Sequence, residues 1–292
     1  MPVPGRLIQR PTRHALRPLD EPYRSRAVPP GTPQYWSWLF ASRDARDPLL
    51  GAFALMAEWR ALMDPGTEPS VAHMKLAWWR EEIGRMTSGS PLHPITLYIA
   101  QLPRGAGVDA AALGASLEAA AAQVAGVPLE RADELQSHAA ALYGTPLLFA
   151  APVGGAPSDQ ERLRRCVTAL AAGQYLTRAA ADYGRETRVG RIPFAVDELL
   201  AAGIDNDDLL AGEPPDRLRS YLDELRDRAA GQFAMAADAL APAERPNLRH
   251  LLVLAALGRE QLRRRRNSSI ADFRLADLYK AWNTARRAAA AR

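Results

Sequence analysis

From Ser158 to about Arg188 the chain is a single alanine-rich stretch whose apolar residues return at helical spacing. Alanine and leucine dominate the rest as well, β-branched residues are few, and periodic apolar segments recur between Pro, Gly and Ser-Asp punctuation. Alanine and leucine lose little by entering a helix, so this pattern commits the chain to an all-α fold. The caps divide it further. Asp47-Pro48 opens a helix that Asp64-Pro65-Gly66 stops, and Ser70 opens another that ends at Ser88-Gly89. Further helices are expected over 109–123, 129–148, 196–202, 216–240, 246–265 and 275–287, with a short extended step, Arg191-Ile192-Pro193-Phe194, after Gly190. Roughly eight main helices make a bundle larger than a four-helix one.

The 292 residues show no break into halves, so one helical domain is expected over 34–292. Residues 1–33 are rich in Arg and Pro without periodicity and read as a poorly ordered tail or an arm lying on the surface. The net charge of +4 says little about partners, because arginine so outnumbers lysine (Lys75 and Lys280 only) that a GC-rich genome is the simplest cause. Nucleic-acid binding has only the composition of that tail behind it and is not expected. Cys166 has no cysteine to pair with inside the chain, which suits a reducing compartment. No apolar run reaches the ~18 residues a membrane span needs. A cytoplasmic protein, with a membrane surface or another protein as a possible peripheral partner, is the expectation.

Neither a glycine-rich phosphate loop nor a paired Cys/His spacing is found, and His73, His93, His138 and His250 fall on separate segments without ligand spacing. The tryptophans Trp36, Trp38, Trp59 and Trp282 are expected in the core, as is one of the adjacent pair Trp78 and Trp79. The arginines from Arg263 to Arg266 read as a solvated helix end.

Asp182 and Glu186 stand apart. Four residues separate them, so a helix stacks both carboxylates on one face, where they repel unless a cation lies between them. Mg²⁺ is one such cation, with Arg188 and Arg191 placed to take the charge of a diphosphate. An ion-pair lattice of Arg178, Asp182, Arg185 and Glu186 is the other reading.

Leu176-Thr177, Asp182, Glu186, Gly190-Arg191-Ile192 and the following proline step, preceded by Phe53, Met74-Lys-Leu-Ala-Trp78-Trp79-Arg80 and His93-Pro94, resemble the squalene/phytoene synthase family over most of the chain. The resemblance implies an isoprenoid-synthase-like helical bundle with a central cavity. Two aspartate-rich motifs would face each other there across Mg²⁺, and two prenyl diphosphates would be joined head to head. It also implies that Asp182 and Glu186 are catalytic, that these two and Glu58 bind metal, and that Arg188, Arg191, Tyr175 and Arg178 contact substrate. The sequence departs from the family after Phe53, where Glu58 keeps a carboxylate and Trp59 and Leu62 stand for the other two. It departs again at Tyr175, Arg178 and Ala181, and Arg178 either replaces a metal ion's charge or pairs with Asp182 and silences it. That pattern is similar to a degenerate branch that includes a mitochondrial respiratory complex I assembly factor. Two functions are therefore open: binding of a prenyl diphosphate or other isoprenoid lipid with head-to-head transfer, or an inactive scaffold acting through protein interaction.

Overall fold

The computed structural model describes residues 17–102, 110–151, 157–265 and 275–291. Its described part is all-α, with one isolated backbone bridge and no strand. The N-terminal elements are α1 (Glu21–Ala27), α2 (Pro33–Phe40), α3 (Arg43–Leu62), α4 (Pro69–Thr87) and α5 (Pro94–Ala100). The middle of the chain supplies α6 (Ala110–Val124), α7 (Ala132–Ala139), α8 (Thr145–Ala150) and the long α9 (Pro157–Thr187). After α9 come two short helices, α10 (Val196–Ala201) and α11 (Asn206–Leu210), then α12 (Asp216–Asp238), α13 (Arg245–Arg265) and α14 (Leu275–Ala290).

α9 is the axis. It packs along α12 and against α13, and the turn between α7 and α8 closes its other side. Where α9 and α13 approach α12, the ring of Phe233 lies between Gly173 and Gly258, and a Cβ on either glycine would fall within 3.0 Å of ring carbons. Only hydrogen side chains leave room for the ring there.

Two sequence expectations change in detail. The helix expected from Asp47-Pro48 begins earlier, at Arg43, and runs through Pro48. The helix expected over 129–148 is α7 and α8 joined by a π-helical turn, Ala140–Gly144. Pro146 carries no amide hydrogen for the carbonyl of Ala141, and the Ser116 hydroxyl from α6 donates to it instead at 2.6 Å. The extended step after α9 is fastened by the amides of Val196 and Asp197, which donate to the carbonyls of Leu129 and Glu130 at 2.8 and 3.1 Å.

Of the segment read as a tail or a surface arm, residues 1–16 lie outside the described residues. The remainder is an arm held on the bundle: α1 packs on α3, and Leu19, Ala27 and Val28 are buried in the same core as Phe53. A few apolar residues in a polar segment show no period but suffice to pin it. Trp282 also departs from expectation, since it lies 45% exposed on α14 beside Tyr279. Trp79 is the buried member of its pair, edge-on to Trp59 with ring centroids 6.3 Å apart, while Trp78 is partly exposed over Arg85. Arg266 lies outside the described residues.

Glu82 fixes α4 to the start of α5. Its carboxylate is fully buried, accepts from the amides of Leu92 and His93 at 2.8 and 2.9 Å and from the Thr96 hydroxyl, and meets Arg85 at 2.8 Å. Burial alone would raise its pKa, but these donors outweigh it and hold the group at about 2.

Candidate functional site

A cleft of about 680 Å³ opens between α3 and α9, within the size range of small-ligand sites. Phe233, Leu254 and Gly258 line its inner end, and the arm and the start of α2 contribute Arg26, Pro29 and Pro33. From α3 the lining residues are Ala57, Arg60 and Ala61, with Asp64 just past its end. Their spacing of three and four residues places them on one face. From α9 come Gln174, Thr177, Arg178, Asp182 and Arg185, again one helical face.

The charged part of the lining is mostly cationic. Arg26, Arg60, Arg178 and Arg185 face two carboxylates, Asp64 and Asp182. Arg178 Nε lies 3.6 Å from Asp182 Oδ2, and its Nη2 lies 4.0 Å from Glu186 Oε1. A guanidinium therefore sits against both members of the acidic pair. Burial would lower the pKa of Arg178, but Tyr143, Asp182 and Glu186 outweigh it and keep the group charged. Asp64 pairs with Arg185 at 3.1 Å and accepts from the Gly66 amide at 2.8 Å. That amide bond, helped by Arg185, keeps the Asp64 carboxyl below its usual range. Arg60 has no hydrogen-bond or ion-pair partner among the described residues. Crowding by the cleft walls and the nearby Arg178 charge lower its pKa, with the Tyr143 oxygen acting the other way.

Glu186 points away from the cleft. It is buried, with Arg191 Nη1 3.6 Å from its Oε2, and it lines a small internal hollow with His138, Tyr175 and Gln123. Burial raises its pKa above the usual glutamate range despite Arg178 and Arg191. Arg191 is itself buried and donates to the Met63 carbonyl at 2.9 Å, tying the end of α9 to the end of α3. Tyr175 is buried behind the cleft, edge-on to His138, and Arg188 is exposed outside the lining. Glu58 also falls outside the lining, where Arg26 of α1 grips it through Nε and Nη2 at 3.1 and 2.7 Å.

Of the residues predicted from sequence, the structure thus brings Arg178, Asp182 and Glu186 together. Arg191 joins them through Glu186, and Glu58 and Arg188 lie elsewhere. The carboxylate that the end of α3 offers to the cleft is Asp64, which the sequence reading had used only as a helix stop. Arg60 was likewise missed. The signal for both was the 57, 60, 61, 64 spacing on the helix carrying Phe53.

Mg²⁺ does not fit this donor set. Arg178 stands against Asp182, Arg178 and Arg191 together stand against Glu186, Arg185 holds Asp64 and Arg26 holds Glu58. Among the described residues no three carboxylate, histidine or cysteine side chains converge to hold a metal ion.

The family model for squalene/phytoene synthase matches residues 30–280. Over 108 residues the chain is 33% identical to the chloroplastic phytoene synthase of Narcissus pseudonarcissus, covering 36% of this chain and 26% of that protein. Over 192 residues it is 22% identical to chloroplastic phytoene synthase 1 of Arabidopsis thaliana, covering 64% of this chain and 46% of that one. The matches thus span less than half the length of these relatives. Among solved structures, a dehydrosqualene synthase in complex with ligand superposes with a TM-score of 0.68 at 13% identity, covering 92% of this chain and 96% of that one. The squalene synthase HpnC from Alicyclobacillus acidocaldarius does so with a TM-score of 0.64 at 18% identity, covering 82% and 91%. With a matching helical fold and a family match across most of its length, the chain belongs to the squalene/phytoene synthase family.

Proposed function

We propose that this protein binds a prenyl diphosphate in the cleft between α3 and α9 without turning it over. The diphosphate lies among the arginines at the polar end, and the prenyl chain runs along Phe233, Leu254 and the alanine face of α3. The observation that carries the reading is Arg178, whose guanidinium stands against Asp182 and Glu186 where head-to-head transfer needs metal charge. A single guanidinium cannot supply the divalent charge that neutralises a departing diphosphate.

Calorimetric titration with farnesyl and geranylgeranyl diphosphate, paired with a pyrophosphate-release assay containing Mg²⁺, tests it. Saturable binding with no release above a denatured control is expected. Absence of binding removes the reading. Release that Asp182→Ala abolishes replaces it with the transferase, for which Asp182 and Glu186 would be catalytic.

A second role, as a scaffold, is favoured by one further observation. Leu275, Tyr279 and Trp282 are exposed together along α14, with Arg286 over the Trp282 ring at 5.3 Å. Such an aromatic stripe suits a protein or membrane surface. Trp282→Glu would release a partner docked there and leave ligand binding unchanged.

A further inference from the structure

We infer that the cleft holds a diphosphate on guanidinium groups alone, with Arg60 of α3 and Arg178 of α9 as opposing jaws, so that binding is independent of divalent metal. The inference rests on the proposed prenyl-diphosphate ligand and adds which groups bind it.

Three observations converge. Arg60 lines the cleft and has no hydrogen-bond or ion-pair partner among the described residues, although every other arginine of the lining stands against a carboxylate: Arg26 against Glu58, Arg178 against Asp182 and Glu186, Arg185 against Asp64. Two of those matches are loose. The contacts of Arg178 with its carboxylates, at 3.6 and 4.0 Å, exceed hydrogen-bond length, so the donors that Tyr143 does not engage can turn to a better acceptor. Finally, Arg60 from α3 and Arg178 from α9 line the same cleft, so two like charges share it, an arrangement that an anion between them relieves.

A diphosphate is such an anion. Its oxygens accept the planar fork of a guanidinium two at a time, and one group from each helix would bracket it. A divalent cation entering the same space would meet an excess of positive charge and would have to displace Arg178 from both carboxylates.

The full chain is titrated with farnesyl diphosphate, once in excess EDTA and once in millimolar MgCl₂, with farnesol as the uncharged comparison. Affinity for farnesyl diphosphate is expected to agree within about twofold between the two buffers, because no metal mediates the contact. Arg60→Ala should weaken it about ten- to hundredfold in EDTA, the value of charged hydrogen bonds to one guanidinium, and leave farnesol binding unchanged. Arg60→Gln serves if the alanine variant melts early, and Arg80→Ala, on the surface beside Glu118, controls for net charge. Binding that appears only with MgCl₂ overturns the metal independence while leaving the prenyl-diphosphate reading intact. Wild-type affinity in both Arg60 variants overturns the assignment of Arg60. No binding in either buffer removes the ligand reading itself, and this inference with it.

Discussion

Replacing Gly258 by alanine puts a methyl carbon 2.5 Å from Cζ of Phe233 and 2.7 Å from both Cε atoms. Carbon atoms are comfortable at about 3.5–4.0 Å, so the ring must withdraw by roughly an ångström. It cannot withdraw freely, because on its far side it occupies the place of the missing Cβ of Gly173, at 2.8–3.0 Å. Relieving the clash therefore means separating α12 from α13 or pushing into the backbone of α9. Overpacking of this kind costs about 1–3 kcal/mol, while alanine in a helix returns about 1 kcal/mol over glycine. The net expectation is a loss of about 1 kcal/mol. Urea unfolding of Gly258→Ala should show a lower midpoint at unchanged slope. The decisive comparison repeats the substitution in a Phe233→Leu background, where the smaller side chain removes the obstacle and only the helix gain remains. Gly258→Ala should be neutral or stabilising there, a coupling of about 1 kcal/mol or more. Equal effects in the two backgrounds would refute the wedge, as would a stabilised single variant. Because Phe233 lines the inner end of the cleft, the single variant should also weaken ligand binding.

Other consequences follow from buried polar groups. Glu82→Ala leaves the amides of Leu92 and His93 without their acceptor and takes one of two acceptors from the Thr96 hydroxyl and from Arg85, and should cost about 3 kcal/mol in urea unfolding; a loss below about 1 kcal/mol would contradict the buried network. The fully buried His250 has its pKa pushed down from 6.5 to about 4 by burial and then by Arg249. Its folded pKa lies below the unfolded one, so the unfolded chain takes up the proton first and stability falls as pH drops below 6.5. At pH 5 the loss from this residue is about 2 kcal/mol, and His250→Leu should flatten the fall in unfolding midpoint between pH 7 and 5.

The long helix was legible because nothing in it contradicts helix formation: the expected 158–188 is Pro157–Thr187 in the structure. Spacing also put Asp182 and Glu186 on one side of it, but only the tertiary structure divides them, sending Asp182 to the cleft and Glu186 inward to Arg191. Periodicity defines a face and leaves its partner open. For the same reason Arg178 could be read from sequence either as a substitute for metal charge or as a pairing partner, and it lies against both acids. The family resemblance makes Glu58 the facing carboxylate, as the one acid kept in the first motif, yet α3 turns it toward Arg26, a residue of the arm that shows no period of its own. Asp64 was hidden by its second role, since an Asp-Pro-Gly sequence is first of all a helix stop.

The placement of Arg60 and Arg178 also specifies how a metal-dependent site could be built. Arg60→Asp combined with Arg178→Asn would leave Asp64, Asp182 and the new carboxylate facing one cleft with fewer cations to neutralise them. Without metal, such a cleft should repel a diphosphate and bind farnesyl diphosphate at least tenfold more weakly than the parent. MgCl₂ should then restore affinity in the double variant and leave the parent unchanged. The exchange has a cost in stability. Glu186 is buried and its pKa already raised, so the unfolded chain ionises it first, and stability is lost as pH rises through the folded pKa, above the usual glutamate range. Removing Arg178 takes away the larger of its two favourable charges and should raise that pKa further, at an overall cost on the order of 2 kcal/mol near neutrality. Adding Glu186→Gln abolishes the buried charge, so the triple variant should recover stability at neutral pH and lose that part of the pH dependence. Asp182, which alone of the α9 pair faces the cleft, keeps its carboxylate throughout. If MgCl₂ leaves binding by the folded double variant unchanged, the two arginines are not what would set the proposed metal independence of this cleft.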